Sequence, residues 1–376
     1  MAHHRFFEKI VAAAFVFVLI IGLLRPAFSQ EGAVNLARLM HADSLILQKQ
    51  GREEVFRFMG NVVFKKGCKS LTCDQSVYYR QRGFAIFTGQ VVVNDSGRIL
   101  QAHEITYYQH PEREVARGHV RFANKKKKLR SDFLEYSDAA QRVFATQNVV
   151  FRDSLNSIDL FCDSLMYWVD KDYGEARGKP KLIKRDSTGA TEIVIQSRKL
   201  AYDGNKSLAV ALENVKISKG DVTSFAAVAR YYNSERKIVI TGNPKVYQRE
   251  DAMTADSIDI FVRGKHLERV HLIGHGRMSS KVHVNQNILE DWLSGQNIWM
   301  TFKKDTLNQV IVQDQAISLY HIVEDGKEKG VNQVLGDWLK IQFQKGDVKK
   351  VVIKSKPGRS HGKFYPPGAK IKPLRP

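Results

Sequence analysis

The sequence predicts an all-β protein: an elongated, repeat-built antiparallel β-jellyroll (a β-roll) with two strands in each unit of about 29 residues. Two observations carry this. A motif Gly-x-Val-x-apolar recurs at a constant step, and between its copies lies a tract with a small residue, often followed by Asp, and an aromatic five or six positions on. A fixed period of this length marks a stacked array, in which each unit covers the apolar face of its neighbour.

The first motif reads "GNVVF" from Gly60, "GQVVV" from Gly89, "GHVRF" from Gly118 and "QNVVF" from Gln147, each 29 residues after the last. It returns as "GKPKL" from Gly178, "ENVKI" from Glu213 and "GNPKV" from Gly242, at steps of 31, 35 and 29. The second tract fills its small-residue slot with Ala42, Cys73, Ala102, Ser131, Cys162, Ser197, Ala226 and Ala255.

One unit shows how these become structure. "FAIFTGQVVV" alternates from Phe84, "NDSGR" supplies turn chemistry, and "ILQAHEITYY" returns to Tyr108. The return strand changes parity: Leu100 and Ala102 share one face, whereas Ile105 and Tyr107 have the opposite parity. The switch recurs at Leu129 and Ser131 against Leu134 and Tyr136, and at Leu160 and Cys162 against Leu165 and Tyr167. Both sets reach one face only through a bulge or bend. Such a bend in every unit folds the sheet into a trough, with the small residue at the crease and Gly60, Gly89, Gly118, Gly178 and Gly242 marking a matching crease on the partner strand.

The residues assigned to the interior are Phe56, Phe58, Val62, Phe64, Phe87, Val91, Val93, Val120, Phe122, Val149 and Phe151, with Ile238, Ile240 and Val246 in a later unit. Two readings stay open at this point: a dry core, or a groove that holds a ligand. The run Lys125, Lys126, Lys127 and Lys128 falls at a hairpin tip. It is either a solvated turn or a contact for phosphates at the mouth of such a groove, where lysine acts as a point charge.

Residues 1–29 read as a secretory signal, with Arg5 and Lys9 before an apolar run from Ile10 to Leu24 and "AFS" ahead of Gln30. Retention of that run as an anchor is the alternative. The repeats span 36–280. From 281 to 353 they diverge, though "WLSGQNIWMTFKKDTLNQVIV" from Trp292 and "VLGDWLKIQFQKGDVKKVVI" from Val334 each read as strand, turn, strand. Residues 354–376 form a basic, Pro-rich tail in which little regular structure is expected.

The segment 1–29 holds Arg5, Lys9 and Arg25 against Glu8, so its removal lowers the net charge from +20 to +18. In an exported protein such charge points to an anionic glycolipid or membrane surface, not to nucleic acid. Cys73 and Cys162 share the small-residue slot and read as small hydrophobes; a Cys68–Cys73 bridge across one turn is the alternative. No nucleophile elbow, phosphate-binding glycine loop or His-Glu-x-x-His motif is present, so neither an enzyme nor a cofactor or metal site is expected. The recurring Asp43, Asp74, Asp132, Asp163 and Asp256 read as crease residues bonding backbone amides.

The tract "ARGHVRFANKKKKLRSDFLEYSDAAQRVFATQNVVF", with its Gly-x-Val-x-apolar, polar turn, Leu, small residue, Asp and Leu-x-Tyr, resembles the OstA-like repeats of lipopolysaccharide-transport periplasmic proteins. The resemblance covers residues 36–280. It implies a twisted jellyroll open along one seam, an interior that takes lipid A acyl chains, a periplasmic location, and end-to-end stacking with itself or with other transport proteins. The sequence departs from that pattern in being about twice as long as a typical soluble bridge protein and in its divergent C-terminal segment. The large barrel of the outer-membrane translocon has no room in it. The reading that follows is a free-standing, non-enzymatic lipopolysaccharide carrier or bridge, with a structural β-solenoid or surface-interaction protein of dry core as the rival.

Overall fold

The computed structural model describes residues 38–372, apart from positions 96, 125, 138, 155–156, 169, 264–265, 286, 305, 325 and 345–346. The predicted export signal and Lys125 therefore lie outside the described residues. Among those described there are 26 strands, paired antiparallel, and no helix. The all-β class and the two-strand unit are as the repeat predicts.

The chain divides into two compact units. The first, residues 38–191 and 198–207, holds β1 (Arg38–His41), β2 (Ser44–Gln50), β3 (Glu53–Lys66), β4 (Lys69–Tyr79), β5 (Phe84–Asp95), β6 (Arg98–Gln109), β7 (Glu112–Ala123) and β8 (Lys127–Ser137). It continues with β9 (Arg142–Asp153), β10 (Ile158–Trp168), β11 (Tyr173–Arg177) and β12 (Lys181–Arg185). The second, residues 192–197 and 208–372, holds β13 (Thr191–Gln196), whose first residue belongs to the first unit. Next in chain order comes β14 (Lys199–Asp203), which returns to the first unit and pairs with β11. The second unit then runs through β15 (Leu208–Lys219), β16 (Val222–Tyr232), β17 (Lys237–Thr241), β18 (Lys245–Gln248), β19 (Asp251–Thr254) and β20 (Ser257–Arg263). It closes with β21 (His266–Val284), β22 (Asn287–Lys303), β23 (Thr306–Glu324), β24 (Lys327–Gln344), β25 (Asp347–Lys354) and β26 (His361–Tyr365). Position 281 falls inside β21. The tail is more regular than expected: β26 pairs with β24, setting Val331 opposite Tyr365.

In the first unit β3 to β10 form a meander in which each strand bends once. Opposite the single residue Asp74 stand Gly60 and Asn61 of β3, since Met59 pairs with Gln75 and Val62 with Cys73. Gly60 and Asn61 both take left-handed backbone, at φ 76° and 47°. The same pair of left-handed residues recurs at Gly89–Gln90, Gly118–His119, Gln147–Asn148 and Gly178–Lys179. In the second unit it recurs at Glu213–Asn214, Gly242–Asn243, Gly274–His275 and Asp314–Gln315. Two successive left-handed residues re-aim the chain and restore both halves of the strand to one face, which removes the parity conflict. Phe58 and Phe64 prove the fold-back. Six residues of extended strand span about 20 Å, yet their rings lie 5.4 Å apart, edge to face.

The crease is closed by size. Each Val of the motif stands opposite the small residue of a neighbouring strand: Val62 and Cys73, Val91 and Ala102, Val120 and Ser131, Val149 and Cys162. All eight are buried. Where Pro180 or Pro244 takes the place of that Val, the missing N–H interrupts the ladder, and the strand appears as two short halves, β11 with β12 and β17 with β18.

Candidate functional site

Inward side chains of the first unit form two facing walls. Along one wall the cross-strand partners run Leu45, Phe58, Ser76, Phe87, Ile105, Ala116, Leu134, Ala145, Leu165 and Ala176. Large and small residues mostly alternate, so neighbouring rows interdigitate. Along the other wall they run Leu39, Phe64, Leu71, Val93, Leu100, Phe122, Leu129, Phe151, Leu160 and Leu182.

Burial differs between the two ends of these walls. Leu39, Leu45 and Leu47 are 40%, 55% and 61% exposed, because among the described residues β1 and β2 pair with β3 alone. Phe56, Phe58, Phe64, Phe87 and Phe122 are half-buried. The ring of Phe64 lies 5.8 Å from that of Phe87 as well as 5.4 Å from that of Phe58. Phe151, Leu160 and Leu182 are fully enclosed, at 1%, 1% and 0% exposure. The interior is thus open and aromatic towards β1 and β2, and closed around Phe151, Leu160 and Leu182. In the second unit Ile238, Ile240 and Val246 are buried and border a small apolar cavity with Ile217, Val222 and Ile260.

All eleven interior residues named from the sequence face this interior, but they differ in access. Val62, Val91, Val93, Val120, Val149 and Phe151 are buried in contact with other protein atoms, whereas the five phenylalanines listed above as half-buried leave surface uncovered. The sequence reading passed over a further row. Tyr78 and Tyr107 share the wall of Phe56 and Ala85 near the hairpin ends and are half-buried. Gln109 donates to the Tyr78 hydroxyl at 3.4 Å, and the Tyr107 hydroxyl donates to Glu112 at 3.1 Å. The Leu-x-Tyr spacing carried that signal, since Tyr107 shares parity with the buried Ile105.

The basic run is split by parity. Lys126 and Lys128 are exposed. Lys127 lies two residues before the inward Leu129 and is only 3% exposed, its Nζ 3.9 Å from the buried carboxylate of Asp153. Burial pulls the Lys127 pKa down, and Asp153 partly opposes this. Lys127 therefore does not present its ammonium on a hairpin tip as the sequence suggested. The thiols of Cys73 and Cys162 are buried and pushed up to about 12 by that burial, with Asp74 and Asp163 adding to it. None of the three cysteines is in a disulfide, so the Cys68–Cys73 bridge is not formed, and Cys68 is exposed. Among the described residues no group of three His, Cys, Asp or Glu is placed to hold a metal ion, and no helix is long and apolar enough to cross a membrane.

Fold and site together define an antiparallel β-roll with an apolar interior that opens at one end of its first unit. The family model described as OstA-like protein matches residues 35–144 and 137–231, more than half of the chain. The chain belongs to the OstA-like family. No curated protein matches it. Among solved structures it is similar to LptH, described as the LptA homologous periplasmic component of the conserved lipopolysaccharide transport device from Pseudomonas aeruginosa. That similarity has 15% identity and a TM-score of 0.27, over 29% of this chain and 82% of LptH.

Proposed function

We propose that this protein is a non-enzymatic periplasmic carrier or bridge for lipopolysaccharide, holding acyl chains against the aromatic part of the first unit's interior. The observation that carries the reading is the half-buried cluster of Phe58, Phe64 and Phe87, continuous with the exposed Leu45 and Leu47. Membership of the OstA-like family supports it, as do the net charge of +20 and the predicted export signal. Each CH₂ taken up is worth about 0.8 kcal/mol, so a few chains are held without any specific polar contact. The uncovered edge at Leu39, Met40 and Leu45–Leu47 supports end-to-end association, with another transport protein or a second copy completing the walls.

A second reading, a scaffold with a dry core, is favoured by the closed interior around Phe151, Leu160 and Leu182. Photo-crosslinking residues placed at Phe87 and at the exposed Gln90 separate the two. Capture of glycolipid at position 87 and not at 90 is the expected result. Equal capture at both, or none at either, leaves the scaffold.

A further inference from the structure

One ion pair joins the two walls across the interior. Lys69 Nζ lies 3.0 Å from Glu114 Oε1, although the residues are 45 positions apart and belong to the non-adjacent strands β4 and β7. Lys69 sits two residues from Leu71 on the wall of Phe64, with Lys66 and Asp95 as its cross-strand partners. Glu114 sits two residues from Ala116 on the facing wall, with Tyr107 and Tyr136 as its partners. Side chains placed this way meet only by spanning the space between the walls, just where the interior is still half-open. Both are partly exposed, at 31% and 25%, so water screens the pair and it exchanges readily.

We propose that this pair is an anion-exchange site: the phosphate of an entering acyl-chain amphiphile replaces the Glu114 carboxylate on Lys69 as its chains part the walls beside Phe64 and Phe87. The proposal rests on the acyl-chain reading above and adds a selectivity to it. A neutral amphiphile parts the walls and separates the Lys69 ammonium from the Glu114 carboxylate in a half-buried setting, which is unfavourable. A phosphate-bearing one brings an anion to Lys69 in place of that carboxylate, and an ammonium is a suitable point charge for phosphate. The site therefore favours anionic over neutral amphiphiles of the same chain length. Nearby charges on the Lys69 wall are Lys66, Asp95 and Arg98, the last two themselves 4.0 Å apart; on the other wall Glu112 is held by Tyr107.

The test titrates the full chain, freed of its export segment, with two fluorescent probes of identical acyl chain, a lysophosphatidic acid and a monoacylglycerol. The wild type should prefer the phosphate probe several-fold. Lys69→Gln should abolish that preference while still binding the neutral probe, and Glu114→Gln should bind the phosphate probe more tightly than wild type. Lys65→Gln, which removes an exposed outward charge on β3, should leave the preference unchanged. Retention of the preference in Lys69→Gln, or its equal loss in Lys65→Gln, overturns the exchange site and leaves the acyl-chain reading standing. Binding of neither probe by the wild type overturns both.

Discussion

The carboxylate of Asp74 occupies the space that a Cβ on Gly89 would fill. Asp43 does the same at Gly60, Asp163 at Gly178 and Asp256 at Gly274. The Gly of one motif and the Asp of the other are therefore two halves of a single contact, made between neighbouring strands on the outer side of the crease. The aspartate also reaches the second corner residue. Asn61 donates to Asp43 at 3.1 Å, Asn148 donates to Asp132 at 2.7 Å, and His275 Nδ1 lies 2.9 Å from Asp256.

Gly89→Ala should destabilise the first unit by about 1–3 kcal/mol, since it forces a side chain into left-handed backbone and into Asp74. Gly51→Ala meets the φ penalty alone, because nothing lies within 4 Å of its Cβ position. It should cost less. Denaturant midpoints measure both, and adding Asp74→Ala to Gly89→Ala should recover part of the loss. An additive cycle would show that the contact carries no energy.

Ala102 is 7% exposed and faces Val91, which is fully buried. Ala102→Leu should lower stability by about 1–3 kcal/mol through overpacking. An unchanged Tm would mean that the crease has room.

Glu175 supplies a pH dependence with a defined sign. Burial acts against its ionisation, but hydrogen bonds from Lys199, Tyr173 and Arg177, with the Lys199 charge, outweigh it and hold the carboxyl at about 2, below its ordinary value of 4.5. A depressed folded-state pKa gives stability that is complete above the unfolded value and is lost as pH falls through the folded one. The stability difference between wild type and Glu175→Gln should therefore be constant above pH 4.5 and shrink towards pH 2. A difference that stays flat across that window would show that these donors do not stabilise the carboxylate.

Thiol labelling at pH 8 should modify Cys68 in the native protein and all three cysteines after denaturation. Cys73 and Cys162 are buried thiols held at about 12 and so remain protonated. Native labelling of Cys162 at the rate of Cys68 would indicate that the crease opens readily.

The fold was largely legible because its parts are periodic. Gly60 and Gly89 announced a bend, and Ala102 with Ile105 announced a parity switch that only a bend satisfies. Corners without glycine, such as Gln147–Asn148 and Asp314–Gln315, were partly hidden: an L-residue in left-handed backbone leaves no mark on the sequence beyond its place in the step. Inward residues were legible for the same reason, but access was not. Phe122 and Phe151 hold the same position in their units, yet one is half-buried and the other enclosed; the difference depends on which neighbours cover them. Lys127 was missed because four identical residues conceal their parity, though Leu129 two places on fixes it. The strand at His361–Tyr365 was missed because prolines and lysines around it read as a tail.

The steps of 31 and 35 residues have a use of their own. The added residues fall between strands, among them the link from β9 to β10 and residues 186–190, and not at the corners. The crease acts as a fixed spine, while the margins of the trough absorb changes in length without disturbing register. For protein engineering this divides the repeat into two kinds of site. A loop, tag or second binding element grafted at residues 186–190 should leave the ladder intact, whereas a single residue added beside Gly89 would turn the rest of its strand inside out.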